Sequence, residues 1–150
     1  MADTGAGDPF DTRLVRAAFA AAAGLLALRV VALFLDPNSL YADETQYWLW
    51  AQTPDWGYFS KPPLIAWLIA LTTGVFGDAD WAVRLSAPVL HAATALFLGL
   101  SAARLFGTRA GALAGLIWMT VPAVWLSSTI MSTDAVLMTG WSAGLYALIR

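Results

Sequence analysis

The stretch PPLIAWLIALTTGVF, residues 62–76, decides how the rest of the chain is read. It is apolar and closes on Gly77-Asp78-Ala79-Asp80, but its 15 residues fall short of the roughly 20 that cross a bilayer. Apolar segments of this length more often lie in the interface or re-enter than span. Whether this one crosses sets the side of the membrane on which every later segment falls.

Upstream, Leu14–Leu35 is a 22-residue apolar run interrupted by Arg16 and Arg29, long enough to span at about 1.5 Å per residue. A cleaved signal peptide is disfavoured, because the run is too long and an acidic segment precedes it. Residues 1–12, MADTGAGDPFDT, are polar and acidic and are expected to form a disordered cytoplasmic tail. Asp36-Pro37-Asn38 ends the first helix. Downstream, Ser86–Ala103, Gly111–Thr129 and Ala135–Ile149 are further spanning segments, the second with Pro122 inside it, as membrane helices tolerate. No internal repeat is visible.

The distribution of Lys and Arg chooses between the two topologies. If residues 62–76 stay on one side, Arg13, Arg16, Arg104, Arg109 and Arg150 fall inside and only Lys61 and Arg84 outside. If they cross, Lys61, Arg104, Arg109 and Arg150 fall outside, which reverses the positive-inside rule. The predicted fold is therefore an all-α, polytopic integral-membrane bundle of about four spanning helices with the N-terminus inside. Two juxtamembrane helices sit in a first outer loop, residues 36–85. Asp43, Glu44, Lys61, Arg84 and Asp134 then all lie on the outer side.

Composition agrees. Of 150 residues, 59% are hydrophobic and 12% charged, with mean hydropathy +0.67; soluble domains carry about twice that charge. Net charge is −2 with no basic run, which excludes a nucleic-acid partner. Cysteine is absent, which excludes disulfides and thiolate metal sites. The chain ends at Arg150 as an apolar segment barely reaches spanning length, so further helices are expected beyond it.

The outer loop carries the candidate chemistry. Tyr41-Ala-Asp-Glu-Thr-Gln-Tyr-Trp-Leu-Trp50 reads as an amphipathic helix with Asp43, Tyr47 and Trp50 on one face and Glu44 about 100° away. The adjacent carboxylates could act as a general base or hold a divalent metal. They could equally cap the helix, with Asp43 at its start and Glu44 at its positive end. Glu44 is the only Glu and Lys61 the only Lys. Lys61, within Gly57-Tyr-Phe-Ser-Lys-Pro-Pro-Leu64, could bind a phosphate or snorkel to headgroups. Arg29, inside the first span, is a functional candidate by position, or snorkels outward. His91 reads as a bundle-interior hydrogen-bonding group, and Asp134 as a helix start or a site residue.

Tyr41–Trp50, Tyr58–Trp67, Phe76-Gly77 with Val83-Arg84-Leu85, and Ser132-Thr-Asp-Ala135 together resemble the GT-C class of lipid-dependent glycosyltransferases. That class includes protein O-mannosyltransferases, aminoarabinose transferases acting on lipid A, and Rgt-type galacturonosyltransferases. The resemblance implies that residues 13–150 are the N-terminal part of a multi-spanning transmembrane domain in a bacterial inner membrane. It implies Asp43 as catalytic base and Lys61 as the contact to the lipid phosphate. Glu44 would orient the acceptor or help hold a metal, Arg84 would support the phosphate, and Tyr41, Tyr58 and Asp134 would line the cavity. The sequence departs from the family pattern at Ser60, where aminoarabinose transferases are acidic, and at Lys61, where mannosyltransferases usually have His.

The implied function is inverting transfer of a sugar from a polyprenyl-phosphate donor to a lipid, glycan or protein hydroxyl on the outer face. A transporter or flippase for a lipid-linked glycan is the alternative, with Arg29, Asp43 and Asp134 along its pathway. A transporter places polar groups at mid-depth in several helices, whereas these charges gather in one loop and near helix ends. A non-catalytic assembly subunit would need neither the Asp-Glu pair nor Lys-Pro-Pro.

Overall fold

A computed structural model describes residues 9–150. All its regular structure is helical: α1 (Pro9–Leu35), α2 (Ala42–Ala51), α3 (Leu64–Phe76), α4 (Asp80–Arg84), α5 (Ser86–Phe106), α6 (Thr108–Thr120), α7 (Pro122–Ser127) and α8 (Thr133–Ile149). The tail expected over residues 1–12 falls mostly outside the described residues, and from Pro9 onward the chain is already helical.

Two helices are long and apolar enough to cross a membrane, Asp11–Leu35 and Asp80–Phe106. Phe19, Leu71, Phe106, Trp141 and Leu148 point large apolar side chains outward, as lipid-facing surfaces do. The third expected span is broken. Pro122 supplies no N–H and Val121 is extended (φ −62, ψ 126), so α6 stops and α7 starts in a new direction. Together α6 and α7 cover residues 108–127, about 30 Å if laid end to end.

Neighbouring ends show that the long elements alternate in direction. Asp11 at the start of α1 accepts a hydrogen bond from Thr108 at the start of α6 (3.3 Å). At the other end, Asp36 just past α1 pairs with Arg84 just before α5 (2.9 Å). Helices α5 and α6 are joined through Gly107, which takes φ +90, a conformation that disfavours any residue with a Cβ. Their backbones then touch: a Cβ on Gly111 would meet the Gly99 carbonyl oxygen and the Ala103 Cβ, each at 2.6 Å. Small residues at this spacing let membrane helices pack on backbone contacts, where lipid removes the hydrophobic drive between helices.

Helix α3 does not run as a fifth long element. Its 13 residues cover only about 20 Å, and Ile65 and Ile69 are buried in one cluster with Tyr47 and Ala51 of α2, Val83, Ala87 and Met131. Helices α2, α3 and α4 thus form a platform at the end of the bundle where α5 begins and α8 starts. Trp48 Nε1 donates to Asp78 (2.9 Å) and Trp67 Nε1 to the Asp55 carbonyl (2.9 Å), closing the platform's loops.

Candidate active site

The first turn of α2 sets the site. Glu44 and Asp43 are adjacent, so the helix sends them in different directions. Glu44 points inward and is fully buried, at 0% exposure. It accepts the Tyr41 N–H (3.0 Å), which satisfies a free amide at the start of α2. It also accepts the Met131 N–H from the turn before α8 (2.8 Å). Arg84 faces it with Nε at 3.0 Å and Nη2 at 2.8 Å, the fork geometry that makes Arg–carboxylate pairs strong.

Arg84 is equally occupied. Its remaining N–H groups go to Asp36 Oδ2 (2.9 Å), the Asn38 carbonyl (3.0 Å) and the Ser39 carbonyl (3.0 Å). All five guanidinium donors are therefore engaged. The N–H and side-chain amide of Asn38, with Arg84 beyond them, hold the Asp36 carboxyl below the usual carboxylate range, so the pair with Arg84 is charged at neutral pH. The Tyr41 ring lies over the guanidinium at 5.8 Å. This network ties α1, α2, α4 and the α7–α8 turn together.

In this arrangement Glu44 spends its oxygens on a guanidinium and two backbone N–H groups, and Arg84 spends all its donors within the protein, which favours a structural role over the acceptor and phosphate contacts expected of them. Protein donors also occupy the Glu44 lone pairs that a divalent cation between Asp43 and Glu44 would use. Among the described residues no three His, Asp or Glu side chains gather closely enough to hold a metal.

Asp43 is in the opposite condition. It is exposed and makes no hydrogen bond or ion pair among the described residues. The helix start belongs to Tyr41, whose N–H is taken by Glu44, so Asp43 does not act as the cap. One turn on, Tyr47 is 3% exposed. Burial raises its hydroxyl pKa first, and the negative charges of Asp43 and Asp134 raise it further. The charges of Asp43 and Asp134, more than 80 residues apart in sequence, thus both act on one tyrosine. Asp134 is exposed on the first turn of α8.

The other expected residues separate. Tyr41 lines a cleft of about 310 Å³ with Asp36, Asn38 and Thr129, between the end of α1, the start of α2 and the turn after α7. Tyr58 is a loop staple: its hydroxyl donates to the Trp50 carbonyl (3.0 Å), accepts the Asp55 N–H (3.0 Å), and its ring stacks on Trp50 at 4.9 Å. Lys61 is half-buried just before α3 and makes no hydrogen bond or ion pair among the described residues. Sequence reasoning missed Asp36, the Met131 N–H and the buried Tyr47 on which the charges of Asp43 and Asp134 act. Only Tyr47 left a signal, its position four residues after Asp43 on the same helical face.

Fold and site define an all-helical protein with two helices long and apolar enough to cross a membrane, and with exposed Asp43 and Asp134 at the starts of α2 and α8. Residues 60–150 match the dolichyl-phosphate-mannose–protein mannosyltransferase family. The lipid A galacturonosyltransferase RgtD of Rhizobium johnstonii (strain DSM 114642 / LMG 32736 / 3841) is 42% identical over 116 residues, which cover 77% of this chain and 24% of that relative. The chain belongs to this family of glycosyltransferases and spans about a quarter of that relative's length. No solved structure matches it. The family match takes in Lys61, Arg84 and Asp134 and begins after Asp43 and Glu44.

Proposed function

We propose that the protein transfers a sugar from a polyprenyl-phosphate donor to a hydroxyl on the outer face of the bacterial inner membrane, with inversion at the anomeric carbon. The observation that carries this reading is the unengaged, exposed Asp43 held on a helix whose start is pinned by the buried Glu44–Arg84 pair. A general base needs a free carboxylate in a fixed place. Asp43 takes the proton of the acceptor hydroxyl as its oxygen bonds to the anomeric carbon. The bond from that carbon to the phosphate oxygen breaks, its electron pair stays on the lipid phosphate, and Lys61 stabilises the charge that develops there. Asp134 adds a second exposed carboxylate at the start of α8, and Tyr41 lines the cleft at the end of α1. Glu44 and Arg84 position the platform and touch no substrate. The relative's printed activity, galacturonosyl transfer to lipid A, favours a lipid-anchored glycan as acceptor.

Four spanning segments (α1, α5, α6 with α7, and α8), a cytoplasmic N-terminus and an outer loop over residues 36–85 complete the proposal. The charge distribution and the shared end of α2, α3 and α4 support it. The flippase reading loses its mid-depth cation, because Arg29 is fully buried and bonded to the Met119 carbonyl at 2.6 Å.

Donor choice tests this reading. Purified intact protein in proteoliposomes is expected to transfer sugar from a polyprenyl-phosphate donor and not from the matching nucleotide sugar. Transfer from the nucleotide sugar alone would overturn it.

A further inference from the structure

Arg29 is the largest side chain fully buried in the structure, at 0% exposure, and it lies six residues before the end of α1. A charge at that depth is costly unless its donors are used. It does not snorkel; among the described residues it meets no carboxylate, and its buried Nε has no hydrogen-bond partner. Its Nη2 donates to the Met119 carbonyl at 2.6 Å, its Nη1 lies 3.7 Å from Met119 Sδ, and its guanidinium sits over the Trp125 ring at 5.5 Å.

Met119 and Trp125 stand on opposite sides of the break between α6 and α7. In an unbroken helix the Met119 carbonyl would accept the N–H four residues on. The extended Val121 ahead of Pro122 turns the chain away, and Arg29 supplies the donor. Its charge also meets the negative end of the α6 dipole. The far end of α7 is fixed separately, where Ser127 Oγ lies 3.0 Å from His91 Nε2 on α5. From there a short turn leads to the Met131 N–H on Glu44 and to Asp134 at the start of α8.

We propose that Arg29 is a positioning residue: it caps the broken helix and sets the direction of α7, and so holds the Met131 amide on Glu44 and with it the start of α8. This rests on the reading of that platform as the transfer site. The proposal differs from a plain stabilising role in predicting an effect confined to the chain after the break.

Hydrogen exchange on the intact membrane protein, with turnover measured beside it, tests this. Arg29→Met should speed exchange over residues 128–134 about tenfold and leave 64–76 within about twofold of the unsubstituted protein. Arg29→Lys still offers one donor to the Met119 carbonyl and should restore protection. Turnover of Arg29→Met should fall about tenfold with the apparent donor KM nearly unchanged, as for a residue that acts on site geometry. Unchanged exchange over 128–134, an equal rise in both segments, or an Arg29→Lys protein that behaves like Arg29→Met would each overturn the proposal. A protein that transfers no sugar at all would instead sink the enzymatic reading, and the exchange comparison would still decide the role of Arg29.

Discussion

At the residue scale, neighbouring carboxylates on one turn of α2 divide the work. Glu44 faces the bundle and meets four donors from α2, α4 and the α7–α8 turn, while Asp43 faces outward and meets none. Removing one partner from a buried charge pair of this kind costs about 3–5 kcal/mol, because the other charge is left unsatisfied. The roughly 100° between the two side chains was legible in the sequence. Which of them points inward was not, because the donors that select Glu44 come from Arg84 and Met131, 40 and 87 residues away. Arg29 was ambiguous for the same reason: its length permits snorkelling, and only the arrival of Met119 decides against it. Lys61 remains uncommitted in the structure, which is what a phosphate contact requires. Lys61→Met, which keeps the apolar stem, should lower turnover about 10²-fold, while Lys61→Arg keeps part of it. The check is turnover at saturating donor against apparent donor KM. A rise in KM alone would mean that Lys61 binds the phosphate equally in the ground and transition states and gives the leaving group no extra stabilisation.

At the element scale, residues 62–76 form a helix too short to span, and its buried face is shared with α2 and with Val83 and Met131. Its shortness was legible from the length of the apolar run. The Pro122 break was half legible: the proline was visible, but a kinked continuous helix was an equally good reading until the extended Val121 and the cap from Arg29 were seen. Single cysteines placed at Ser60 and Asp80, which flank α3, should both react with an impermeant thiol reagent from outside intact spheroplasts. Labelling of the Asp80 position only after the cytoplasmic face is exposed would mean that α3 crosses, and the proposed topology would fail.

At the scale of the whole molecule, alternating helices bring chain segments far apart in sequence to one end. Asp36, Glu44, Arg84, Met131 and the start of α8 meet there, and Asp11 with Thr108 marks the opposite end. Sequence reading placed the carboxylates on one side of the membrane by counting Lys and Arg, and that side remains part of the proposal. We propose Asp43 as the base and Glu44 as its scaffold, an assignment that paired substitutions separate. It is tested most directly by turnover of the intact protein carrying Asp43→Asn, set beside Glu44→Gln and with thermal stability measured on both. Asp43→Asn should fold and insert as the unsubstituted protein does while turnover falls about 10²–10⁴-fold, the usual contribution of general-base catalysis. Glu44→Gln should lower stability first. Near-normal turnover in Asp43→Asn would contradict the account.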